Sequence, residues 1–135
     1  MKQPAIEVAV SLAQKLGYLL VATSDARGLP HVAVAAKITL GKGKGQVAVE
    51  TWFCPGTMAN LGKNPLLSLI IWDPDTDQGH QLLGRVEKME DLTILDGYSS
   101  ELQGRAGGPQ AERRLFIRVE KTLRFQRTRH TDEEE

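Results

Sequence analysis

The hydrophobic positions of the chain change from a helical period to a strand period near Gly17. Between residues 4 and 16 the apolar side chains recur every three or four positions, which predicts an amphipathic helix that Gly17 ends. From residue 18 to 24 the period is two, and residues 25–28 have the composition of a tight turn. The chain is therefore predicted to open with a helix, a strand and a hairpin turn.

The alternating pattern continues and predicts five more strands. Residues 66–72 are almost entirely apolar, so this strand is expected to be buried on both faces. Two further helices are expected, a short one at residues 58–63 and another that begins at Asp91 and includes Leu102. The five strands are residues 31–40, 46–53, 66–72, 78–88 and 111–127.

The second predicted strand has one bulky face and one shallow face. Small side chains would let a flat ligand approach the backbone closely, although a solvated sheet face is the simpler interpretation. The expected core face consists of Val32, Val34, Ala36, Ile38 and Leu40. The shallow face consists of His31, Ala33, Ala35, Lys37 and Thr39.

Six strands in hairpin-like succession predict a mainly β fold. We expect a six-stranded antiparallel split β-barrel with two or three flanking helices, because closure of the sheet removes its exposed edges. Residues 1–130 would form this single domain. Residues 131–135 are acidic and are expected to be a disordered tail.

Composition excludes several classes of protein. The chain has 135 residues, 41% of them hydrophobic, which suffices for one domain with its own core. Its 17 Lys and Arg balance 17 Asp and Glu, so no nucleic-acid partner is expected. Cys54 is the only cysteine, which excludes an internal disulfide and a cysteine-rich metal site. No apolar stretch approaches the roughly 20 residues that span a bilayer, so we expect a cytoplasmic protein without membrane contact.

Two other charged patterns have simpler explanations than a binding site. Asp73, Asp75 and Asp77 resemble the start of a calcium loop, but the glycine and the final glutamate are misplaced, so a hairpin turn is favoured and no metal is expected. The last strand and the residues after it are rich in arginine. This segment is interpreted as a solvated strand face, with a patch for an anionic substrate as the alternative.

A candidate anion site lies where the third strand ends and the short helix begins. The chain turns on Pro55 and Gly56, and Thr57 falls in the first helical turn. Free N–H groups at a helix start, together with a hydroxyl, bind phosphate well, although Thr57 could equally be an ordinary helix cap. Trp52 and Phe53 precede this point, and at least one of them is expected to line the site.

The run Asn60-Leu61-x-x-Asn64-Pro65, followed by an apolar strand, resembles the flavin-binding split barrels related to pyridoxamine 5′-phosphate oxidase. Residues 18–23, 30–32 and 81–87 are similar to that family in the same order, so the resemblance covers about residues 16–126. It implies a homodimer with one FMN in each of two clefts between subunits. Carried over by position, the cofactor-binding residues are Val34, Ala35, Ala36, Lys37, Thr51, Trp52, Phe53, Thr57 and Asn60.

The sequence departs from the family at the phosphate. Many members carry Lys or Arg just before the Asn-Leu helix, whereas this chain has Pro55-Gly56-Thr57-Met58. Loss of one charge-assisted hydrogen bond costs about 1.5–3 kcal/mol. Three explanations remain open: FMN binds more weakly than in the family, Lys37 or Lys63 substitutes for the missing cation, or the ligand has changed.

The resemblance favours an FMN-dependent oxidoreductase. No side chain stands out as an acid, base or nucleophile, which suits a reaction that the cofactor performs. The oxidase's own C-terminal pattern of Arg and His is missing, so pyridoxamine phosphate is not the expected substrate. The alternatives are a non-catalytic flavin-binding, electron-transfer or sensor module on the same barrel and, less favoured, a reductase that uses the deazaflavin F420.

Overall fold

In the computed structural model, which describes residues 2–52, 55–94, 111–128 and 131–135, eight antiparallel strands form one sheet with two helices packed against it. The helices are α1 (Lys2–Leu16) and α2 (Pro55–Lys63). The strands are β1 (Leu19–Ser24), β2 (Pro30–Ala35), β3 (Lys37–Leu40), β4 (Gln46–Trp52), β5 (Leu66–Asp73), β6 (Gln78–Ile94), β7 (Ala111–Gln126) and β8 (Thr131–Glu134).

The order of the strands shows how the sheet closes. It runs β2-β1-β5-β6-β7-β4-β3, with β8 added along β7. Strands β2 and β3 stand at opposite ends of this order although only Ala36 separates them in the chain. The sheet therefore curls until its two edges meet at Ala36. The predicted antiparallel split barrel is confirmed, with eight strands in place of six.

The break at Ala36 corrects the predicted second strand. The single strand over residues 31–40 is divided into β2, which pairs with β1, and β3, which pairs with β4. Ala35 and Ile38 are both buried, so the inward phase shifts by one residue across the break. Val32 and Val34 consequently face outward, and Ala36 and Leu40 are exposed as well. The predicted core face is therefore confirmed for Ile38 alone. A one-residue shift moves every later side chain to the opposite face of a strand.

The core fills the curled sheet and one face of α1. Ile6, Ala9 and Ala13 are buried on that face and form one cluster with inward side chains of the strands. In β5 the buried positions alternate strictly with half-buried ones, beginning from an exposed Leu66. The prediction that this strand is buried on both faces is therefore wrong, because its outer face is left uncovered in the single chain.

Strands β6 and β7 are long, with 17 and 16 residues. Part of β6 occupies the position where the third helix was predicted. Residues 91–94, expected to begin that helix, continue β6 instead and pair with β7 as far as Ile94 opposite Ala111. Arg113 lies 3.4 Å from Asp91, the residue predicted to cap the helix. Cross-strand pairing thus outweighs the helical pattern at residues 91–94. The rest of that predicted helix lies outside the described residues.

The acidic end of the chain forms a strand where a disordered tail was predicted. Strand β8 pairs with residues 123–126 of β7. The carboxylate of Glu134 lies 3.7 Å from Lys121 Nζ, and that of Glu135 lies 3.8 Å from Arg124 Nε. Opposite charges on neighbouring strands favour this pairing. The acidic residues thus neutralise part of the basic strand β7.

No helix within the described ranges is both long enough and apolar enough to cross a membrane.

Candidate cofactor-binding site

The Asn-Leu motif fixes helix α2 against strand β1. Asn60 Nδ2 donates to Thr23 Oγ1 over 3.0 Å, and Asn64 Nδ2 donates to Ser24 Oγ over 3.0 Å. Leu61 is buried in the core between these two tethers. Positions four apart share one face of a helix, so the spacing of the motif suits docking. The amide nitrogen of Asn60, a predicted cofactor-binding residue, is thus already engaged within the chain.

Thr57 lies in the first turn of α2 and carries an unsatisfied hydroxyl. The residue is only 2% exposed, and its Oγ1 atom has no hydrogen-bond partner among the described residues. A buried polar atom without a partner costs about 1–3 kcal/mol. The free N–H groups of the same helical turn point toward the helix start. This turn therefore offers both a helix-start anion site and a donor hydroxyl that no described residue engages.

The imidazole of His31 borders the same turn. An ideal Cβ placed on Gly56 would lie 3.0 Å from Cε1 and 3.1 Å from Nε2 of His31. His31 pairs across the ladder with Thr23, the residue that accepts the Asn60 hydrogen bond. Neighbours across a strand pair lie on the same face. The start of β2 and the start of α2 therefore meet at His31 and Gly56.

The strand residues predicted to contact the cofactor gather near the seam at Ala36. Lys37 pairs with Glu50, so Ala36 and Thr51 follow at the same end of the ladder. Val34 is 61% exposed and Trp52 is 42% exposed, which leaves an open, partly apolar surface on one chain. Ala35 is buried and could offer only its backbone. Phe53 lies outside the described residues.

An ion-pair network runs beside this seam. Arg114 donates to Glu50 Oε1 from Nε at 3.0 Å and from Nη2 at 2.7 Å, and it donates from Nη1 to Glu90 over 3.0 Å. The hydrogen bonds to Glu50, with the charges of both carboxylates, raise the pKa of the Arg114 guanidinium, against a smaller opposing effect of burial. The Lys37 side chain is exposed, and its Nζ atom lies 3.8 Å from Oε2 of Glu50.

The two lysines expected to replace the missing cation occupy different places. Lys37 lies on β3, beside Glu50 at the seam. Lys63 lies in the last turn of α2, about 9 Å along the helix from Thr57. Lys63 is thus at the end of the helix that repels anions. It does not lie at the helix start, where the phosphate was expected.

The arginines of β7 are neutralised by neighbouring strands. Arg113, Arg114 and Arg118 each form an ion pair with an acidic side chain of β6, and Arg114 pairs with β4 as well. This arrangement agrees with the solvated strand face preferred from the sequence. It gives no support to an anion-binding patch at these three positions.

The aspartate cluster at residues 73–77 forms a turn, as predicted. Asp73 accepts hydrogen bonds from Thr76 Oγ1 at 2.8 Å and from the N–H of Asp75. Asp77 accepts from the N–H groups of Arg127 and Thr128 instead, and hydrogen bonds to Thr128 lower the pKa of its carboxyl. The carboxylates therefore do not converge on a cation. Within the part of the chain that the structure describes, no group of His, Cys, Asp and Glu is arranged to hold a metal ion.

A separate surface groove of about 380 Å³ runs over β1, β5 and β6. Its lining includes Ser24, Leu66, Ser68 and Leu83. It shares no residue with the predicted site.

Sequence reasoning missed the position of His31. In the sequence, His31 belongs only to the shallow face of the second predicted strand, and nothing there connects it with the helix start. The signal available was the Pro30-His31-Val32 segment, which belongs to the resemblance. Its proximity to Gly56, 25 residues later, becomes visible only when α2 is docked on β1.

The family model for pyridoxamine 5′-phosphate oxidase matches residues 6–131. The chain belongs to the pyridoxamine 5′-phosphate oxidase family. No curated protein matches this chain significantly. Strands β1 to β7 and the Asn-Leu helix lie within the region that the family model covers.

Solved structures similar to this member of the pyridoxamine 5′-phosphate oxidase family bind different ligands according to their names. An FMN-binding protein from Syntrophomonas wolfei has 19% identity and a TM-score of 0.63, covering 90% of this chain and 86% of its own. An F420 reductase has 18% identity and a TM-score of 0.56, covering 83% and 93%. The heme storage protein HutZ from Vibrio cholerae has 17% identity and a TM-score of 0.51, covering 87% and 89%. At these identities the similarity establishes the fold alone.

Proposed function

We propose that this protein is a homodimeric flavoprotein that binds FMN between its two subunits, beside the seam at Ala36, and acts as an oxidoreductase. The observation that carries the proposal is the unpartnered hydroxyl of Thr57 in the first turn of α2, in a chain of this family. A phosphate oxygen would accept a hydrogen bond from this hydroxyl and from the free N–H groups of the same turn. The residues present at this turn therefore fit the phosphate of FMN.

The seam residues are suited to the flat part of the cofactor. Val34 and Trp52 expose apolar surface there, and Ala36 has too small a side chain to obstruct a ring. Thr51 and Trp52 end β4 only three residues before α2, so the ring and phosphate subsites are close along the chain. When bound, FMN would supply the electron transfer. The chain's own residues would orient the ring and exclude water from one of its sides.

Lys37 would add a positive charge beside the ring. Its side chain is 66% exposed at the seam, and Nζ lies 3.8 Å from Oε2 of Glu50, whose own side chain is only 15% exposed. Because Arg114 already donates two hydrogen bonds to Glu50, the carboxylate does not depend on Lys37. Lys37 is therefore available to a ligand that carries or gains negative charge.

The dimer is proposed from an apolar face on the outside of the barrel. Val34, Leu20 and Ile70 form one row across β2, β1 and β5. In the adjacent row Val32 is 55% exposed and pairs with Ala22. Contiguous exposed apolar surface of this kind typically marks an interaction site. A second copy bound to this face would cover it. Its residues would form the other side of the FMN site beside Ala36.

Titration of the ligand-free protein with FMN, F420 and hemin tests the proposal. We expect FMN fluorescence to be quenched with one FMN bound per chain, and F420 and hemin to bind less tightly. Consumption of NADH or NADPH by the FMN-loaded protein, with an added electron acceptor, would then distinguish an oxidoreductase from a flavin-binding module. Uptake of hemin or F420 without uptake of FMN would overturn the proposal.

A further inference from the structure

The imidazole of His31 lies beside the first turn of α2, where the sequence has no Lys or Arg. Residues 55–58 include no Lys or Arg. The ring of His31 comes so close to Gly56 that a Cβ there would lie 3.0 Å from Cε1. This approach is possible because Gly56 has no side chain. The imidazole thus lies against the backbone of the first turn of α2, whose N–H groups favour anions.

Two side chains at this turn have no hydrogen-bond partner among the residues that the structure describes. His31 makes no hydrogen bond or ion pair in the described ranges, and its side chain is exposed. Thr57 Oγ1, one residue beyond Gly56, is buried and has no partner among the same residues. Two donors that the fold leaves unused therefore lie on adjacent parts of β2 and α2. Buried polar atoms are normally paired, so the Thr57 hydroxyl in particular points to a missing acceptor.

We propose that His31 binds the terminal phosphate of the flavin ligand, together with Thr57 and the first-turn N–H groups of α2. This inference rests on the proposed function. An imidazole N–H donates to a phosphate oxygen. His31 would thereby replace the Lys or Arg that is missing before the Asn-Leu helix. Gly56 keeps the space in which the ring reaches this position.

Comparison of FMN with riboflavin isolates the phosphate, because riboflavin has the same ring system without it. We expect the wild-type protein to bind FMN more tightly than riboflavin. In His31→Ala, FMN affinity should fall about ten- to hundredfold, the range for a charge-assisted hydrogen bond, while riboflavin affinity stays unchanged. In His31→Arg, FMN affinity should be restored. Unchanged circular dichroism and melting temperature would establish that the variants are folded.

Two further variants test the geometry of the site. In Gly56→Ala the new methyl group would lie 3.0 Å from Cε1 of the imidazole, so the ring must shift by a few tenths of an ångström. FMN affinity should therefore fall less than in His31→Ala, and riboflavin affinity should stay unchanged. Lys63→Ala removes a cation from the other end of the same helix and is the matched control. FMN affinity should be unaffected by this control substitution.

Each possible failure has a distinct signature. If wild type prefers FMN over riboflavin and His31→Ala keeps that preference, other groups hold the phosphate and the role of His31 is overturned, while flavin binding stands. If wild type binds both flavins equally, no phosphate subsite exists and the inference is likewise overturned. If neither flavin binds, the proposed function itself fails, and the inference fails with it.

Discussion

Asn60 and Thr23 join helix α2 to strand β1 through a hydrogen bond of 3.0 Å from Nδ2 to Oγ1. Thr23 is 4% exposed, so water cannot readily replace the amide donor. One turn later, Asn64 makes the same kind of contact with Ser24. The Asn-Leu motif therefore holds α2 against β1. It sets the position of the helix start, where the proposed phosphate subsite lies.

The Asn60–Thr23 bond predicts a measurable coupling. Asn60→Ala leaves the buried Thr23 hydroxyl without its donor and should destabilise the fold by about 1–3 kcal/mol. Thr23→Val removes the acceptor, and the double variant should be less destabilised than the sum of the two singles by about 0.5–1.5 kcal/mol. Urea unfolding of the four proteins measures this difference. Strict additivity would show that the bond contributes nothing.

Two glycines should respond to alanine in opposite directions. A Cβ at Gly84 would lie 2.3 Å from the carbonyl oxygen of Arg118, so Gly84→Ala must displace β7 and should cost about 1–3 kcal/mol. A Cβ at Gly62, on the exposed side of α2, would meet nothing within 4 Å. Gly62→Ala should therefore stabilise the protein by about 0.4–1 kcal/mol. Thermal unfolding of both variants checks the pair, and a fully tolerated alanine at Gly84 would contradict the close packing of β6 on β7.

His80 should make stability depend on pH. Burial lowers its pKa below the ordinary value of 6.5, the charge of Arg124 acts in the same direction, and the nearby Glu135 opposes both. Below pH 6.5 the unfolded chain binds this proton more readily than the folded chain. The contribution of neutral His80 to the free energy of unfolding is thus present above pH 6.5 and is lost as the pH falls below that value.

The variant His80→Gln isolates this contribution. The free energy of unfolding of the wild type should decrease between pH 7.5 and pH 5.5 more steeply than that of the variant. Chemical denaturation at several pH values measures both slopes. Equal slopes would mean that His80 titrates alike in the folded and unfolded states.

The proposed dimer face should be sensitive to charge. Val34→Glu places a carboxylate at the β2 end of the apolar row that Val34 forms with Leu20 and Ile70, and it should halve the mass of the protein in solution without unfolding it. Val8→Glu is the matched control, because Val8 is 55% exposed on α1, away from that row. The control should remain a dimer in light-scattering measurements. A Val34→Glu variant that keeps the mass of the wild type would exclude this face as the interface.

Much of the fold was predictable because most elements have clear local patterns. The period of two in β1 and β7, the apolar run of β5 and the helical period of α1 correspond to observed elements. The break at Ala36 was not predictable, since the alternation of apolar and polar or small residues over positions 31–40 continues without interruption. Only the pairing of β2 with β1 and of β3 with β4 reveals it. The strand at residues 91–94 was missed for the same reason, because its partner lies on β7.

The candidate site was less predictable than the fold. Local sequence placed Thr57 at the start of a helix, and the structure adds that its hydroxyl has no partner in the described chain. The contact between His31 and Gly56 depends on two elements that are distant in sequence. The outward orientation of Val32 and Val34 depends on the phase shift at Ala36. These features arise from tertiary pairing, which periodicity and composition do not encode.

Native mass spectrometry of the protein reconstituted with FMN tests whether two copies of the barrel bind FMN between them. We expect one species made of two chains and two FMN molecules, and a loss of both FMN molecules when Val34→Glu separates the chains. A monomer that carries no flavin, or a dimer that takes up none, would contradict the proposal that two copies of this barrel bind FMN at their seam.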